Sequence, residues 1–327
     1  MVSDISISTA ANTYTLDRWR ANASGGGVFS IQRSTTAPAG FTNSILATVT
    51  TADASVGSGD FYHVRQSIEG FNFADLGFGT ATASTVAFSF WVRNSITGTF
   101  TLMLRNEAGN RGYLTTYTVN AANTWEQKTI TIPGDTTGTW ATDNTSAAIV
   151  SFNLGNGTTQ TTNSWVSTVN EGAVGMTQWI STLGATFYIT GVQLERGSNA
   201  TSFEFRDYGR ELILCMRYYE RRTVGSTANE RLTTTGLSNG TTQAQFPVQH
   251  LVQKRASPAV NVGNLSNTST YDGGGSGTPT SWSLDNTGVF VTNIQVSGLS
   301  GTTTGRAIHW TWNNASPTPF IEISSEL

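Results

Sequence analysis

The chain has 327 residues, 12% of them charged, and a formal net charge of −3. A chain of this length is expected to hold about two domains. So weak a charge imbalance argues against nucleic acid or an acidic membrane surface as a partner. The single cysteine, Cys215, leaves no internal disulfide, so stability has to come from packing, hydrogen bonds or oligomerisation.

The N-terminal segment has no basic stretch followed by an apolar run. No part of the chain approaches the roughly 18 consecutive apolar residues of a membrane-spanning helix. We therefore expect synthesis in the cytoplasm, without insertion into a membrane.

Short runs of β-branched and aromatic residues, separated by Gly, Asn, Asp and Pro turns, fill the chain up to about residue 206. In the run VAFSFWV, Phe88 and Phe90 share one face of a strand, and Trp91 points to the opposite face. The spacing of the runs predicts an all-β fold, an antiparallel jelly-roll β-sandwich. The clearest strands are expected at residues 28–32, 61–66, 86–93, 100–105, 113–119, 128–132, 147–154 and 185–194.

Good helix formers cluster at residues 207–222, with Leu212, Cys215 and Met216 at helical spacing. This pattern predicts one short helix that leads into a strand and links two domains. Its apolar side either packs on the jelly roll or forms a contact along the axis of an oligomer. In the second alternative, the interface residues are Leu212, Met216 and Tyr219.

Residues 223–327 return to short strand patterns and predict a second, smaller β-sandwich. The Gly-rich stretch at residues 272–278 lacks the Lys-Ser or Lys-Thr of a phosphate-binding loop, so we expect a flexible loop available for contacts. Strands are expected at residues 244–248, 259–262, 289–296, 306–312 and 320–323.

Catalytic and metal-binding constellations are not visible in the sequence. His63, His250 and His309 lie far apart, without Cys or carboxylate at ligand spacing, and no nucleophile motif is present. Glycosidic cleavage needs two carboxylates facing one sugar-binding cleft, and nothing in the spacing pairs any two of them. We therefore expect a protein that is not an enzyme. The candidate carboxylates are Asp60, Glu69, Asp75, Glu107, Glu126, Glu171 and Glu195.

The nine tryptophans favour carbohydrate as the ligand. A flat aromatic ring packs on the apolar face of a pyranose, while polar side chains bind its hydroxyls. We expect ligand contacts in the C-terminal domain or, if the jelly roll binds instead, on one of its sheets. The C-terminal candidates are Tyr271, Trp282, His309 and Trp310, and the jelly-roll candidates are Trp91, Arg93, Arg105 and Tyr117.

Two sets of motifs resemble known families. Residues 62–69 (YHVRQSIE) and 86–93 (VAFSFWVR) resemble the paired central strands of jelly-roll carbohydrate-binding modules. Residues 16–19 (LDRW), 123–140 (NTWEQKTITIPGDTTGTW) and 185–221 resemble recurrent segments of phage tail-fibre and related virion proteins. In those proteins the jelly roll is followed by an E-L-x-L-C-x-R-Y-Y linker and a variable distal β domain.

The resemblance implies a protein of the virion surface, made in the host cytoplasm and commonly a homotrimer. Its partners would be other copies of itself, other phage tail or capsid proteins, and host cell-surface polysaccharide. The implied organisation is a carbohydrate-binding-module-like jelly roll at residues 1–206, a helical linker at 207–222 and a distal β domain at 223–327. Because the jelly-roll pattern begins close to Met1, we expect another protein or the short N-terminus to hold the chain on the particle.

Jelly-roll modules of this kind often hold a structural calcium ion between their sheets. Asp17 or Glu195 would supply oxygen ligands, but no compact Asp-rich loop accompanies them. Calcium therefore stays an alternative, and no other cofactor or metal is expected.

Three functions stay open at this point. The favoured one is a tail-fibre or receptor-binding module that contacts host surface glycans. The alternatives are a capsid-decoration, head-fibre or baseplate protein without glycan binding, and a glycan depolymerase.

Overall fold

The computed structural model describes residues 5–7, 12–16, 18–168, 170–225, 229–273 and 276–327. The chain divides into two compact units, Met1–Phe205 with Leu327, and Arg206–Glu326. Each unit is a β-sandwich with a hydrophobic core of its own, which confirms the predicted fold class. The helix belongs to the second unit.

The first unit contains short 3-10 helices at Gly70–Asn72, Ala74–Leu76 and Trp179–Ser181. Its described strands are β1 (Ile5–Ile7), β2 (Asn12–Tyr14), β3 (Trp19–Ser24), β4 (Val28–Ser34), β5 (Ser44–Thr51), β6 (Phe61–Glu69), β7 (Val86–Asn94), β8 (Gly98–Asn106), β9 (Gly112–Val119), β10 (Glu126–Ile132), β11 (Ser146–Asn156), β12 (Thr159–Gln160), β13 (Trp165–Val166), β14 (Gly172–Ala173) and β15 (Thr186–Arg196).

These strands form two large antiparallel sheets and one small ribbon. The back sheet has the order β1-β4-β5-β15-β7-β10, and the front sheet has the order β13-β9-β8-β11-β6-β3-β2. Strands β12 and β14 pair in parallel outside both sheets. All eight strands predicted for this unit are present.

The core of the first unit lies between the two sheets. Phe90 of β7 packs its ring 5.0 Å from the ring of Phe152 on the front sheet and 5.0 Å from that of Tyr117. Alternate residues of each strand point inward, as the period of two requires. Burying each large aromatic or aliphatic side chain contributes about 1.5–3 kcal/mol, so this alternation fixes which face of each sheet looks outward.

Strand β3 was not predicted. It carries Ala21, Asn22 and Ala23, which are small or disfavoured in strands, and its ladder with β6 holds it in place. The register places Arg20 opposite Arg65 and Asn22 opposite His63.

The second unit contains α1 (Tyr208–Met216) and a 3-10 helix at Leu265–Asn267. Its described strands are β16 (Tyr219–Thr223), β17 (Gly236–Ser238), β18 (Gln243–Gln249), β19 (Ala259–Gly263), β20 (Thr268–Tyr271), β21 (Ser276–Gly277), β22 (Ser281–Thr287), β23 (Val291–Ser297), β24 (Ala307–Trp312) and β25 (Phe320–Ser324). The small sheet is ordered β16-β25-β19, and the large sheet β21-β20-β24-β17-β18-β23-β22.

The Gly-rich stretch expected to be a flexible loop is partly ordered. Ser276 and Gly277 form β21 and pair with Tyr271 and Thr270 of β20. Gly274 and Gly275 lie outside the described residues.

Helix α1 begins at a capping aspartate. The Asp207 side chain accepts a hydrogen bond from the Arg210 backbone N–H at 3.2 Å, which satisfies a donor of the first turn. No residue of the helix is buried.

Among the described residues, none of the helices is both long and apolar enough to pass through a membrane.

Candidate functional site

The outer face of the front sheet carries a row of polar and charged side chains, which we name the polar row. It includes His63, Arg65 and Asn153. On β6, Tyr62 and Val64 point into the core, so His63 and Arg65 point outward by alternation. The register places Asn153 of β11 opposite His63. His63 and Arg65 are nevertheless buried, which shows that another part of the chain covers them.

That covering part is residues 157–178, which we name the cover segment; Val169 within it lies outside the described residues. Ala173 and Met176 of this segment form a small apolar cluster with Met103 and Leu114 on the outer face of the front sheet. The cluster anchors the segment over β8 and β9. It thereby closes one side of the polar row.

The start of the cover segment is fixed by a close backbone approach. A Cβ atom at Gly157 would lie 1.7 Å from the Gly57 carbonyl oxygen, so only glycine fits there. The Gly157 N–H donates to the Asp60 carbonyl at 3.0 Å. This contact holds residues 52–60, the loop between β5 and β6 that we name the rim loop, at the edge of the polar row.

Glu171 of the cover segment contacts side chains of the front sheet. Its Oε1 accepts from Arg105 Nε at 3.0 Å, and its Oε2 lies 3.4 Å from His63 Nδ1. Its backbone carbonyl accepts from Asn153 Nδ2 at 2.6 Å. The carboxylate therefore bridges two strands of the sheet.

His63 is buried with an incomplete set of hydrogen bonds. Its ring stacks on Phe61 with centroids 5.1 Å apart, and neither ring nitrogen has a hydrogen-bond partner among the described residues. A buried polar group of this kind costs stability, and polar groups left open in a cleft are suited to ligand contacts.

The charges of these groups are set by burial and by one another. Burial lowers the pKa of His63 below its usual value, so the imidazole is neutral at pH 7. Burial opposes ionisation of Glu171, but nearby His63 and Arg105 outweigh it and lower the pKa of that carboxyl. Burial and then repulsion by Arg20 lower the pKa of Arg65 to about 10.

Between the cover segment, the rim loop and the front sheet lies a cleft of about 330 Å³. Its lining combines one aromatic ring with amide, hydroxyl, carboxylate and guanidinium groups, the combination that binds a sugar ring and its hydroxyls. The lining residues are Asn22, Ser58, Gly59, Asp60, Phe61, His63, Arg65, Arg105, Asn156, Thr158, Asn170 and Glu171.

Of the predicted jelly-roll contacts, Arg105 lies in this cleft. Tyr117 does not, and this prediction is corrected: its side chain points into the core and packs against Phe90 and Phe100. Tyr117 follows the inward alternation of β9, so no face of its ring is available to a ligand.

Trp91 and Arg93 lie on the outer face of the back sheet, on the opposite side of the sandwich from Arg105. Both are half-buried. The Arg93 guanidinium stacks over the Tyr188 ring at 4.8 Å, and the Trp125 ring lies 6.0 Å from that of Tyr188. Trp91 and Arg93 thus belong to a separate aromatic surface.

The four C-terminal candidates are divided between different parts of the second unit. Tyr271 is exposed and lies opposite His309 in the β20–β24 ladder, and Arg231 Nη2 is 3.2 Å from His309 Nε2. Trp282 lies on β22, at the other end of the large sheet. Trp310 is fully buried against Phe246, so its prediction as a ligand contact is corrected.

The predicted interface residues lie on and after the helix. Leu212 is exposed on α1 and Met216 is half-buried at its last position. Tyr219 belongs to β16, where its hydroxyl donates to Glu322 Oε1 at 2.8 Å.

Within the described ranges, no group of three or more His, Cys, Asp or Glu side chains is placed to hold a metal ion. The Glu195 carboxylate accepts from the Thr201 backbone N–H at 3.0 Å. Asp17 lies outside the described residues.

Sequence reasoning missed most of the cleft. Alternation along β6 already placed His63 and Arg65 on the face away from the core, and that signal was available. The position of Glu171 could not be predicted from the sequence pattern. It depends on the path of the cover segment, in which β12 and β14 are only two residues long.

No protein-family model and no curated protein matches the chain. Among solved structures it is similar to the enzymatically active domain of tailspike protein 4 of bacteriophage CBA120, with a TM-score of 0.33 and 14% identity over 56% of this chain. The match spans 20% of that tailspike chain.

The chain is also similar to a family 11 carbohydrate-binding module of a cellulosomal cellulase from Clostridium thermocellum, with a TM-score of 0.32, 12% identity and coverage of 60% of this chain and 97% of that one. A tandem family 22 module from Paenibacillus barcinonensis covers 98% of this chain and 96% of its own, with 13% identity and a TM-score of 0.28. At these TM-scores the similarities carry no argument about function.

Proposed function

We propose that the cleft binds a saccharide, and that the protein uses it to contact the glycans of a host cell surface. The observation that carries this proposal is the composition of the cleft. The Phe61 ring stands beside amide, hydroxyl and charged groups in a recess of about 330 Å³, a volume at the lower end of the usual range for small-molecule sites.

The polar groups of the cleft are held in place before any ligand arrives. Asn156 Oδ1 accepts from the Thr158 N–H at 3.0 Å, and the Asn156 N–H donates to Gln178 at 2.9 Å. Glu171 is held by Arg105 and Asn153. Groups fixed in this way lose little conformational freedom when they bind a ligand.

The place of the protein on a virion surface is proposed from the sequence motifs at residues 16–19, 123–140 and 185–221. The same motifs support a homotrimer that contacts other tail or capsid proteins. A structural protein without glycan binding would occupy the same place on the virion, but its cleft would bind no saccharide.

A depolymerase is favoured by one observation, since Asp60 and Glu171 line the same cleft. Cleavage by a carboxylate pair requires one of them to be protonated as the general acid. The lowered pKa of Glu171 keeps this carboxylate ionised, so Glu171 itself is unsuited to the role of general acid.

The test is a glycan array probed with the wild-type chain and three variants. Phe61→Ala removes the ring from the cleft and is expected to abolish binding. Phe71→Ala, at an exposed position outside the cleft, is the matched control and is expected to bind normally. Trp91→Ala tests the back-sheet surface. Binding lost with Trp91→Ala and kept with Phe61→Ala would overturn the assignment to the cleft.

A further inference from the structure

From the walls of the cleft we infer that it receives the terminal unit of a glycan chain and not an internal stretch of the chain. This inference rests on the proposed function, because it specifies which part of a glycan the same site takes. It is carried by the contacts that close the cleft at both ends of β6 and on the side of β11.

The floor of the cleft is strand β6 together with the neighbouring strand β3. Phe61, His63 and Arg65 of β6 line the cleft, and Asn22 of β3 lies opposite His63 in the ladder. A saccharide on this floor could continue along β6 in either direction, or across the sheet toward β11 or toward β3.

The first wall stands at the Phe61 end of β6, where the rim loop and the cover segment contact each other. The Gly157 N–H donates to the Asp60 carbonyl at 3.0 Å, and the Thr158 hydroxyl donates to the Ser58 carbonyl. Ser58, Asp60 and Thr158 all line the cleft. These contacts therefore close the cleft at this end of the strand.

The second wall is the cover segment on the side of β11. Ser151 and Asn153 alternate onto the outer face of β11, yet both are 0% exposed. Asn153 donates to the Glu171 carbonyl at 2.6 Å, and Arg105 of β8 donates to the Glu171 carboxylate at 3.0 Å. The cover segment thus lies directly on β11 and β8, so a glycan chain cannot continue across the sheet in this direction.

The third closed side is the continuation of β6 beyond Arg65. Ser67 is the next outward position of this strand, and it is only 4% exposed. Arg20 of β3 donates a hydrogen bond to its hydroxyl. Because Ser67 lies outside the lining of the cleft, the cleft ends at Arg65.

Exposure of the lining side chains falls toward this inner end. Phe61 and Asn22 are half-buried, whereas His63 is 3% exposed and Arg65 is 8% exposed. Among the described residues, the lining on the remaining side is Asn22. The opening of the cleft therefore faces β3 and the solvent above Phe61.

The number of linkages on a sugar unit decides whether it fits a cleft of this shape. An internal unit is linked to its neighbours through two different carbon atoms of its ring, so a chain on both sides of it has to leave the site. A terminal unit has one linkage. It can enter with its free side toward His63 and Arg65 while the rest of the chain leaves over β3. The volume of about 330 Å³ suits such a short end group.

The experiment varies the length of the ligand, so it does not depend on the folding of variants. A linear polysaccharide built from a repeat that the chain binds on the array is partially hydrolysed and separated into fractions of known mean length. Each fraction then competes with the immobilised glycan for the wild-type chain. Terminal recognition predicts equal potency per mole of saccharide chain, so a fraction about tenfold longer needs about tenfold more mass for half-inhibition. Equal or greater potency of the longer fraction per unit mass, as internal and multivalent binding would give, would overturn the inference.

Two serines of the rim loop locate the effect. Ser58 and Ser55 are both exposed, and of the two only Ser58 lines the cleft. Ser58→Trp places a large ring at the first wall and is expected to weaken binding of the shortest fraction about tenfold or more, whereas Ser55→Trp should change it by less than about twofold. Equal binding by the two variants would contradict this wall.

Phe61→Ala separates this inference from the proposed function. Binding that Phe61→Ala abolishes, with a potency that follows the mass of saccharide instead of the number of chains, would overturn terminal recognition and keep the saccharide site. Absence of binding by the wild type, or binding that Phe61→Ala leaves unchanged, would overturn both.

Discussion

At the scale of single residues, Tyr117 shows that burial, and not residue type alone, decides whether a side chain is available to a ligand. A tyrosine on a sheet was a reasonable sugar contact, yet its hydroxyl lies in the core and has no hydrogen-bond partner among the described residues. Burial accordingly raises the pKa of this phenol above its usual value.

Replacing Tyr117 by phenylalanine is therefore expected to stabilise the first unit. The change removes an unsatisfied buried hydroxyl, whose cost is about 1–3 kcal/mol, and keeps the ring contacts with Phe90 and Phe152. Urea unfolding should show a higher free energy of unfolding for Tyr117→Phe, by about 1 kcal/mol. A lower value would mean that the hydroxyl is hydrogen-bonded in the folded protein.

The buried histidines make stability depend on pH. The pKa values of His63 and His250 are both lowered from 6.5, mainly by burial. Below pH 6.5 the unfolded chain therefore binds more protons than the folded chain, and stability falls as the pH falls. The lowered pKa of Glu171 adds a further loss at more acidic pH.

Urea midpoints measured at pH 7.5 and 5.5 test this dependence. His63→Gln and His250→Gln should each reduce the loss of stability at the lower pH, and the double variant should reduce it most. If His63→Gln left the loss of stability at pH 5.5 unchanged, the His63 imidazole would not be buried in its neutral form.

At the scale of elements, the cover segment determines whether the polar row of the front sheet is a cleft or an open surface. It has little regular structure. Its short strand β13 pairs with β9 at the edge of the front sheet, and the cluster of Met103, Leu114, Ala173 and Met176 holds the later part of the segment to the sheet. Its stability should therefore depend on that cluster more than on the sandwich beneath it.

Adjacent residues of the cover segment allow a controlled test. Ala173 is 0% exposed and Val174 is 72% exposed. Ala173→Arg should detach the segment and abolish glycan binding while the sandwich stays folded, whereas Val174→Arg should do neither. Faster proteolysis within residues 157–178, without a change in circular dichroism, is the expected signature. Equal effects of both substitutions would contradict this role of the cluster.

The strands of the sandwich were predictable because their pattern is local. Val86, Phe88 and Phe90 alternate with smaller or polar residues, and eight such runs gave eight strands of the first unit. Strand β3 was not predictable because Ala21 and Asn22 lack strand preference. The cover segment was not predictable because the position of Glu171 depends on contacts with residues distant in the sequence.

The prediction of Trp310 as a ligand contact was wrong because residue type does not show which face of a strand a tryptophan lies on. Residues 308, 310 and 312 alternate onto the core face of β24.

At the scale of the whole molecule, the exposed apolar side chains of α1 support the proposed homotrimer. Leu212, Ile213 and Leu214 are all exposed, and apolar groups clustered in this way commonly mark contact surfaces. Burial of these side chains between subunits would offset the absence of an internal disulfide.

Sedimentation of the full chain at micromolar concentration tests the oligomer. A trimer is expected for the wild type, and Leu212→Asp or Met216→Asp should shift it toward monomer because each places a charge in an apolar interface. Leu251→Asp, exposed on the same unit, should leave the trimer intact. A wild-type monomer would contradict the proposed homotrimer, and a trimer insensitive to the helix variants would place its interface elsewhere.

The cleft of the first unit is proposed to receive a saccharide. The most direct measurement is a crystal structure of the full chain with the tightest-binding oligosaccharide from the array. We predict a sugar ring against Phe61, with its hydroxyls at Arg105 and Asn156. A saccharide bound instead on Trp91 and Tyr188, or beside Tyr271 and His309, would contradict the account.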